Sequence, residues 1–217
     1  MLDLQGFYEN RIFPRMLDVA DRAFRRERAH LLGEAAGDVL EIGIGTGNSL
    51  EYYSQHITSL TGIEPHSGLL EQAQARLQTL DVRLAERVSL VEGDAGQLPF
   101  ADDSFDTVVA FLVFCTLPDP ARAAAEVRRV LRPGGRLLFF EHVQAGTRSL
   151  ARWQQRCNPL WRHLACGCNL NRDTRRTFEA AGFQIRMLSS YRHPKILLPL
   201  VAPVILGEAG LSPSASA

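Results

Sequence analysis

The sequence predicts an α/β fold in which a mostly parallel β-sheet carries helices on both faces. Short apolar runs alternate along the chain with amphipathic segments of helical periodicity, and this alternation is typical of βαβ units. Residues 105–114 form a continuous run rich in valine and phenylalanine, as expected for a central parallel strand. A glycine-rich turn at residues 43–47 follows the first apolar run. Because ligands of such sheets bind at the carboxyl ends of the strands, this turn marks the expected site.

Composition limits both the number of domains and the kind of ligand. A chain of 217 residues with 46% hydrophobic content can bury one sizeable core but is short for two complete domains. The 24 basic and 24 acidic residues balance, so no polyanionic partner such as nucleic acid is expected. A small molecule is the expected ligand. The N-terminus has no apolar run after a basic start, so we expect a cytoplasmic protein.

The cysteines predict neither a disulfide scaffold nor a metal site. The chain has only four of them: Cys115, Cys157, Cys166 and Cys168. In a reducing compartment they are expected to be thiols. Cys166 and Cys168 lack the two-residue spacer of zinc knuckles and have no second pair, so we expect them to pack at a helix junction. Cys115 is expected to pack in a pocket.

The first half of the chain predicts a lead-in helix and four strands. Residues 7–34 carry apolar side chains at roughly helical spacing among many charges, which indicates an amphipathic helix. Strands are predicted from apolar runs of strand length at 38–43, 59–65, 88–92 and 105–114. Helices are predicted between strands at 48–56 and 67–80.

The second half continues the alternation. A helix begins at Asp119, carries Pro120 in its first turn, and is expected to end at the turn of residues 133–135. Residues 149–181 predict helix in two pieces, broken near Gly167. Strands are predicted at 136–143 and 183–191, with a seventh that ends near 207. Residues 196–206 are apolar but too short to span a bilayer and contain two prolines, so they predict a core strand or a surface that touches a membrane.

Polar residues or glycines follow four of the first five predicted strands. Glu64 follows the second strand, 21 residues past Gly43, where a carboxylate can accept hydrogen bonds from both hydroxyls of a ribose. Asp94 follows the third strand, and Glu141 with His142 ends the fifth. A glycine turn with an acid after the second strand also occurs in dinucleotide-dependent oxidoreductases, but their G-x-G-x-x-G places the third glycine one residue later. The turn could alternatively join strand to helix without any ligand.

Four motifs in this order resemble those of class I S-adenosylmethionine-dependent methyltransferases. They are E-I-G-I-G-T-G, I-E-P, E-G-D-A-G-Q-L-P-F and R-V-L-R-P-G-G-R-L-L, which together cover residues 39–142. The resemblance implies S-adenosylmethionine as cofactor, S-adenosylhomocysteine as product, and a seven-stranded Rossmann-like sheet whose last strand is antiparallel. Together with the periodicity of the lead-in, we expect an N-terminal helical cap over the active site at 1–34, a methyltransferase domain at 35–210, and a frayed tail at 211–217.

The resemblance also assigns residues to the methionine end of the cofactor. Gly43, Gly45 and Gly47 would face the methionine part, since a backbone without Cβ atoms can approach a ligand closely. The Glu41 carboxylate would help to seat the loop and the methionine end.

The nucleoside end is assigned by the same resemblance. Glu64 would hold the ribose hydroxyls, and Asp94 would accept from the adenine amino group beside the Ala95 backbone. Phe111, after the fourth strand, would line the pocket through its backbone. No metal is implied.

Further motifs resemble the methyltransferase-like 7 group, whose animal members are membrane-associated alkyl-thiol S-methyltransferases. These motifs are F-Y-E-N-R at residues 7–11, V-F-C-T-L-P-D-P at 113–120, W-Q-x-x-x-N-P-L-W at 153–161 and G-C-N-L-N-R-D-T at 167–174. The apolar residues Phe111, Phe114 and Leu117 predict a pocket for a small apolar acceptor, and the resemblance favours a thiol. Because the chain lacks the long N-terminal anchor of those members, peripheral membrane contact is the form of membrane association that we consider.

Two residues are candidates for catalysis. His142 could accept a proton or orient the acceptor, and Asp119 could serve similarly, although a backbone-bonded histidine and a helix N-cap are the alternative interpretations. A strong base is optional, because an alkyl thiol with a pKa of about 8.5 is already partly ionised near neutral pH.

Two other functions remain open: a phospholipid or quinone methyltransferase at a membrane surface, and a cofactor-binding module without catalysis. The sequence does not predict an oligomeric state.

Overall fold

A computed structural model describes residues 22–211 of the chain. Its seven strands form one sheet in the order β3-β2-β1-β4-β5-β7-β6. The strands are β1 (Gly37–Ile42), β2 (Ile57–Glu64), β3 (Val88–Glu92), β4 (Phe105–Phe111), β5 (Leu131–His142), β6 (Phe183–Arg192) and β7 (Pro203–Leu211). The α-helices of these residues are α1 (Arg25–Gly33), α2 (Ser67–Leu77), α3 (Val82–Ala85), α4 (Pro120–Val130), α5 (Arg148–Leu164) and α6 (Thr174–Ala180).

The predicted sheet is confirmed, including the direction of its last strand. Strands β1 to β5 pair in parallel, whereas β7 lies between β5 and β6 and pairs antiparallel with both. The carboxyl ends of β1 to β5 therefore meet at one edge of the sheet. That edge is where residues following each strand can form a common site.

The core lies on both faces of the sheet because its central strands are apolar without interruption. Neighbouring residues of β5 illustrate this: Phe139 packs in one cluster with Phe178 of α6, and Phe140 packs in the other with Leu32 of α1. Both phenylalanines are fully buried. Burial of each such side chain contributes about 1.5–3 kcal/mol to folding.

The helix predicted at residues 48–56 is wrong. The structure has only a 3-10 turn at Leu50–Tyr52, after which Tyr53 is extended. Gly43, Gly45 and Gly47 all take positive φ, so the preceding segment forms consecutive turns and not a regular helix start. The side chain of Tyr53 is then directed to Glu41, with 2.9 Å between the hydroxyl and Oε2.

The boundaries of β4 and β5 also differ from the prediction. Strand β4 ends at Phe111, because Leu112 adopts a left-handed backbone with φ of 60°. Helix α4 ends at Val130, and β5 begins directly at Leu131, so the predicted turn at 133–135 lies inside the start of the strand. The short helix α3, capped by the Asp81 side chain, was not predicted.

The helices after β5 follow the predicted division into two pieces. Residues 165–173 separate α5 from α6, and Cys166 and Gly167 within this break both have positive φ. Gln154 is fully buried and attaches α5 to the strand ends. Its amide accepts from Ala145 N at 2.7 Å and donates to Leu200 O at 2.9 Å.

The lead-in and the tail are covered only in part. Residues 25–33 of the predicted lead-in helix are helical as α1, and the remainder up to residue 21 lies outside the described residues, as do residues 212–217. The proposed domain limits therefore stay predictions. Over residues 22–211, no helix combines the length and the apolar character that crossing a membrane requires.

Candidate functional site

The glycine loop after β1 bends sharply and leaves open space beside its centre. Gly43 has φ of 65° and its amide donates to Ile63 O of β2 at 2.8 Å. A Cβ at Gly43 would lie 2.6 Å from Val113 Cγ2, so no larger residue fits there. A Cβ at Gly45 would meet only the Gly43 carbonyl oxygen, at 4.0 Å. The loop is thus packed on one side and accessible to a ligand at Gly45.

Glu64 connects the ends of β1 and β2. Its carboxylate is buried, with 5% of the residue exposed. Oε2 accepts from the Gly45 amide at 3.1 Å, and Oε1 lies 2.9 Å from Nδ1 of His66. The carboxylate is therefore held against the open side of the glycine loop, in the position from which it could reach the hydroxyls of a ribose.

Glu41 is the centre of a buried polar network beneath the loop. Ser49 donates to its Oε1 at 2.5 Å and Tyr53 donates to its Oε2 at 2.9 Å. Arg28 of α1 in turn donates to the Ser49 hydroxyl at 2.5 Å. Burial and the neighbouring Glu41 carboxylate raise the pKa of Tyr53 well above its usual value, so its phenol is a stable donor. This network ties the lead-in helix to the cofactor loop.

Asp94 and Ala95 follow β3 at the same edge. Asp94 is exposed, and its Oδ1 accepts from the Gly96 amide at 2.6 Å. Ala95 is buried, with 6% exposure. The hydrogen bond orients the Asp94 carboxylate.

An aromatic wall covers the ends of β4 and β5. Phe111 packs on Phe140 with 4.8 Å between ring centroids, and the Arg28 guanidinium lies 3.9 Å from the Phe111 centroid, a cation–π contact. Phe24, which precedes α1, packs against Phe140 at 5.2 Å and against His142 at 6.1 Å. The lead-in segment thus contributes one side of this wall.

Glu141 holds the loop that follows β4. It is fully buried, and its carboxylate accepts from the amides of Val113 at 2.9 Å, Phe114 at 2.8 Å and Cys115 at 3.0 Å. Burial raises the pKa of Glu141 to about 7, and the three backbone donors oppose that rise. These three hydrogen bonds anchor the loop, which contains no helix or strand.

His142, Cys115 and Cys168 come together beside this loop. One nitrogen of the imidazole and both sulfur atoms lie within 4.8 Å of one another, and His142 Nδ1 is 3.8 Å from Cys168 Sγ. The Cys115 thiol and His142 lower the pKa of Cys168, whereas the interaction with Cys168 and burial raise the pKa of Cys115. The spacing of Cys166 and Cys168 did not indicate this cluster, because Cys115 and His142 come from other segments.

Asp119 has the geometry of a helix cap. Its Oδ1 accepts from the Arg122 amide at 3.0 Å at the start of α4, and the residue is exposed. The capping interpretation is confirmed. A catalytic role for Asp119 stays a prediction from the sequence alone.

Sequence reasoning missed several residues that complete the site. Arg28 and Phe24 belong to the predicted lead-in, but helical periodicity does not show which of its side chains reach the strand ends. Gln154 lies in the middle of a polar helix and is recognised only by its full burial. A buried glutamine between two apolar strand ends has no local signal in the sequence.

The described residues fit S-adenosylmethionine at the ends of β1 to β3. The loop offers open space at Gly45, the Glu64 carboxylate adjoins that space, and the buried Glu41 network supports the loop from behind. When bound, this cofactor supplies an electrophilic methyl group on a sulfonium.

Comparison with known proteins agrees with this geometry. A methyltransferase domain is recognised over residues 40–139. The chain is 39% identical to human thiol S-methyltransferase TMT1B over 181 residues, which cover 81% of this chain and 72% of that protein. It is 33% identical to human thiol S-methyltransferase TMT1A over 199 residues, covering 85% and 77%.

Solved structures share the fold. A geranyl diphosphate methyltransferase, determined in complex with S-adenosylmethionine, superposes with a TM-score of 0.67 at 14% identity and covers 89% of this chain and 85% of its own. The methyl donor of the chain is S-adenosylmethionine, and neither the oxidoreductase interpretation nor a module without catalysis is supported. The chain therefore belongs to the family of S-adenosylmethionine-dependent methyltransferases that includes the thiol S-methyltransferases TMT1A and TMT1B.

Proposed function

We propose that the protein transfers the methyl group of S-adenosylmethionine to a small apolar thiol. The observation that carries this proposal is the similarity to two thiol S-methyltransferases over about four fifths of the chain. The buried phenylalanines Phe24, Phe111 and Phe140 make the surroundings of the β4 and β5 ends apolar, which supports an apolar acceptor.

The cofactor contacts that we propose follow the strand ends. Gly43, Gly45 and Gly47 face the methionine part, and Glu41 supports the loop there. The position of Glu64 beside Gly45 supports a role in binding the ribose hydroxyls.

For the adenine, we propose Asp94 as the acceptor of the amino group, with the Ala95 backbone beside it. The Gly96 amide already orients one Asp94 oxygen, which supports this role. Phe111 lines the pocket through its backbone.

Methyl transfer from a sulfonium is an in-line displacement, so the protein mainly aligns and desolvates the reactants. The buried phenylalanines exclude water, and we propose that His142 orients the acceptor or takes its proton. The Glu141 carboxylate keeps the adjoining loop in place. We assign the cap of α4, and no proton transfer, to Asp119.

The acceptor is tested by incubating the purified chain with labelled cofactor and a panel of alkyl thiols, amines, phenols, phosphatidylethanolamine and a quinol. We expect the highest kcat/KM with an apolar thiol. Faster methylation of the lipid or the quinol would overturn the thiol assignment in favour of the membrane-surface alternative.

His142→Ala is expected to lower turnover while leaving cofactor affinity nearly unchanged, and an unchanged rate would reject the proposed role of His142.

We also propose that the protein works inside the cell and touches membranes peripherally. Large apolar side chains are exposed on α5 and in the loop before β7: Trp153, Leu160, Leu164, Leu197 and Leu198. Arginines flank them on α5, a composition typical of helices that lie in a membrane interface. Flotation with anionic liposomes tests this proposal. Failure of the wild-type chain, which carries Leu160, to float with the liposomes would contradict it.

A further inference from the structure

Three side chains of types that commonly bind metal ions come together beside the carboxyl ends of β4 and β5. They belong to separate segments of the chain. Cys115 follows β4, His142 ends β5, and Cys168 lies between α5 and α6. Their ligand atoms lie within 4.8 Å of one another, and residues 22–211 contain no second such group of three. Neither cysteine is in a disulfide.

The backbone holds both cysteines in position. The Cys115 amide donates to Glu141, while its carbonyl accepts from the Asn169 amide at 2.7 Å and from Asn169 Nδ2 at 3.1 Å. Cys166 and Gly167 take left-handed φ values of 42° and 93° immediately before Cys168. A left-handed non-glycine residue is strained, so the chain here adopts a costly conformation that turns Cys168 inward.

The imidazole has no conventional hydrogen bond within the described part of the chain. Nδ1 faces the Cys168 sulfur at 3.8 Å. Nε2 is buried and has no partner there. Buried polar atoms without partners are rare in native proteins, and a catalytic role or a bound ion nearby is one explanation for them.

We propose that Cys115, His142 and Cys168 bind a zinc ion through two thiolates and one imidazole nitrogen. In tetrahedral sites with Zn–S of about 2.3 Å and Zn–N of about 2.0–2.1 Å, neighbouring ligand atoms are roughly 3.5–3.8 Å apart. The cluster needs only a small contraction to reach that geometry. Sulfur and imidazole donors select zinc over magnesium or calcium.

The surroundings can balance the charges of such a centre. Two thiolates neutralise a divalent ion, and half-buried Arg172 interacts electrostatically with Cys115, Cys168 and Glu141. Arg172 is attached to the same loop, because it donates to Leu117 O at 2.6 Å. Partners of this kind around the ligands orient them and tune the metal.

Three protein ligands leave a fourth position open, as in catalytic zinc sites. Resting on the proposed function, we assign that position to the sulfur of the acceptor thiol. Of the two roles proposed for His142, only the orienting one applies here, because coordination releases the thiol proton to solvent and holds the sulfur as a thiolate. A lone pair of this sulfur forms the new bond to the methyl carbon, while the carbon–sulfonium bond breaks and its electron pair remains on S-adenosylhomocysteine. No oxidant or reductant is needed.

Metal content provides the test, without reference to turnover. The full chain, purified with a phosphine reductant and dialysed against zinc, is expected to retain a single zinc ion per chain by elemental mass spectrometry. Cys168→Ser and His142→Ala should each lower zinc affinity at least about tenfold, since even the loss of groups around the ligands costs about 10- to 100-fold. Cys157→Ser is the matched control and should retain zinc.

A second measurement protects the test against misfolded variants. Cobalt(II) added to the wild-type chain should give thiolate-to-cobalt charge-transfer bands, which disappear in Cys115→Ser and persist in Cys157→Ser. Zinc should also raise the Tm of the wild type but not of His142→Ala. The proposal is overturned if the wild type binds no more zinc than Cys168→Ser, or if cobalt gives no thiolate bands.

The outcomes separate this inference from the proposed function. Zinc binding without methylation of any thiol would support the metal site and reject the thiol acceptor. Unchanged thiol methylation after removal of zinc by a chelator would reject the role of the fourth position, while the methyltransferase assignment would stand.

Discussion

The two halves of the site are built in different ways. At the ends of β1 to β3, the cofactor half consists of backbone turns and carboxylates that follow their own strands directly, such as Gly43, Gly45 and Glu64. At the ends of β4 and β5, the half to which we assign the acceptor is assembled from distant segments, with Cys115 and Cys168 53 positions apart in the chain. Local turns can be recognised in a sequence, whereas contacts between residues far apart in the chain cannot.

The two halves also differ in the interactions that stabilise their conformation. The cofactor loop depends on glycine conformations, so single residues there are irreplaceable for steric reasons. The acceptor half depends on buried side chains that bind backbone groups of another segment, as Glu141 and Gln154 do. We therefore expect mutations in the first half to affect the cofactor and mutations in the second to affect the acceptor.

The largest effect is expected from Gly43→Ala, which breaks the cofactor half at its most local feature. A left-handed φ costs a residue with a Cβ about 1–2 kcal/mol, and overlap with Val113 adds about 1–3 kcal/mol. We expect a clear fall in the urea midpoint and at least tenfold weaker binding of S-adenosylmethionine by calorimetry. Gly33→Ala is the control, since a Cβ there meets nothing within 4 Å. Equal behaviour of the two variants would contradict the steric argument.

Glu64→Ala tests the carboxylate of the cofactor half. Loss of a charge-assisted partner should weaken cofactor binding by about 2 kcal/mol, or roughly thirtyfold. Calorimetric titration measures this directly. Glu71→Ala, at an exposed position of α2, should bind the cofactor as the wild type does. Unchanged affinity of Glu64→Ala would exclude the ribose assignment.

Glu141→Gln tests the acceptor half in the same way. One amide oxygen can replace Oε1, but the new NH2 group would face the Cys115 amide, at a cost of about 1–2 kcal/mol in the free energy of unfolding. The free energy of unfolding and the kcat for the acceptor should both fall, while cofactor affinity stays nearly constant. Glu71→Gln is the control. A matching loss of cofactor affinity would show that the halves are not separate.

The smallest effect is expected from Asp119, which lies at the margin of the acceptor half. Asp119→Ala should lower stability by about 1 kcal/mol through the lost cap, whereas Asp119→Asn keeps a capping oxygen. Both variants should have the wild-type kcat when the rate is expressed per folded molecule. A large drop in kcat for Asp119→Asn, which cannot take a proton, would instead support the catalytic role.

Sequence patterns predicted most of the fold and little of the acceptor site. The seven strands and the antiparallel direction of the last one were predicted, because apolar runs and the resemblance of four motifs indicate a known sheet. The helix predicted at 48–56 failed, since three glycines with positive φ convert that segment into turns. Propensity alone does not reveal such conformations.

By itself, the sequence determined the methyl donor and the sheet, because both depend on local features: strand-length apolar runs, a glycine turn, and Glu64 directly after β2. Only the tertiary structure decided that Arg28 supports the cofactor loop through Ser49, that Glu141 holds the loop after β4, and that Cys168 meets Cys115 and His142. The physical reason is that these contacts join residues far apart in the chain. Their geometry exists only after the sheet and its helices have packed.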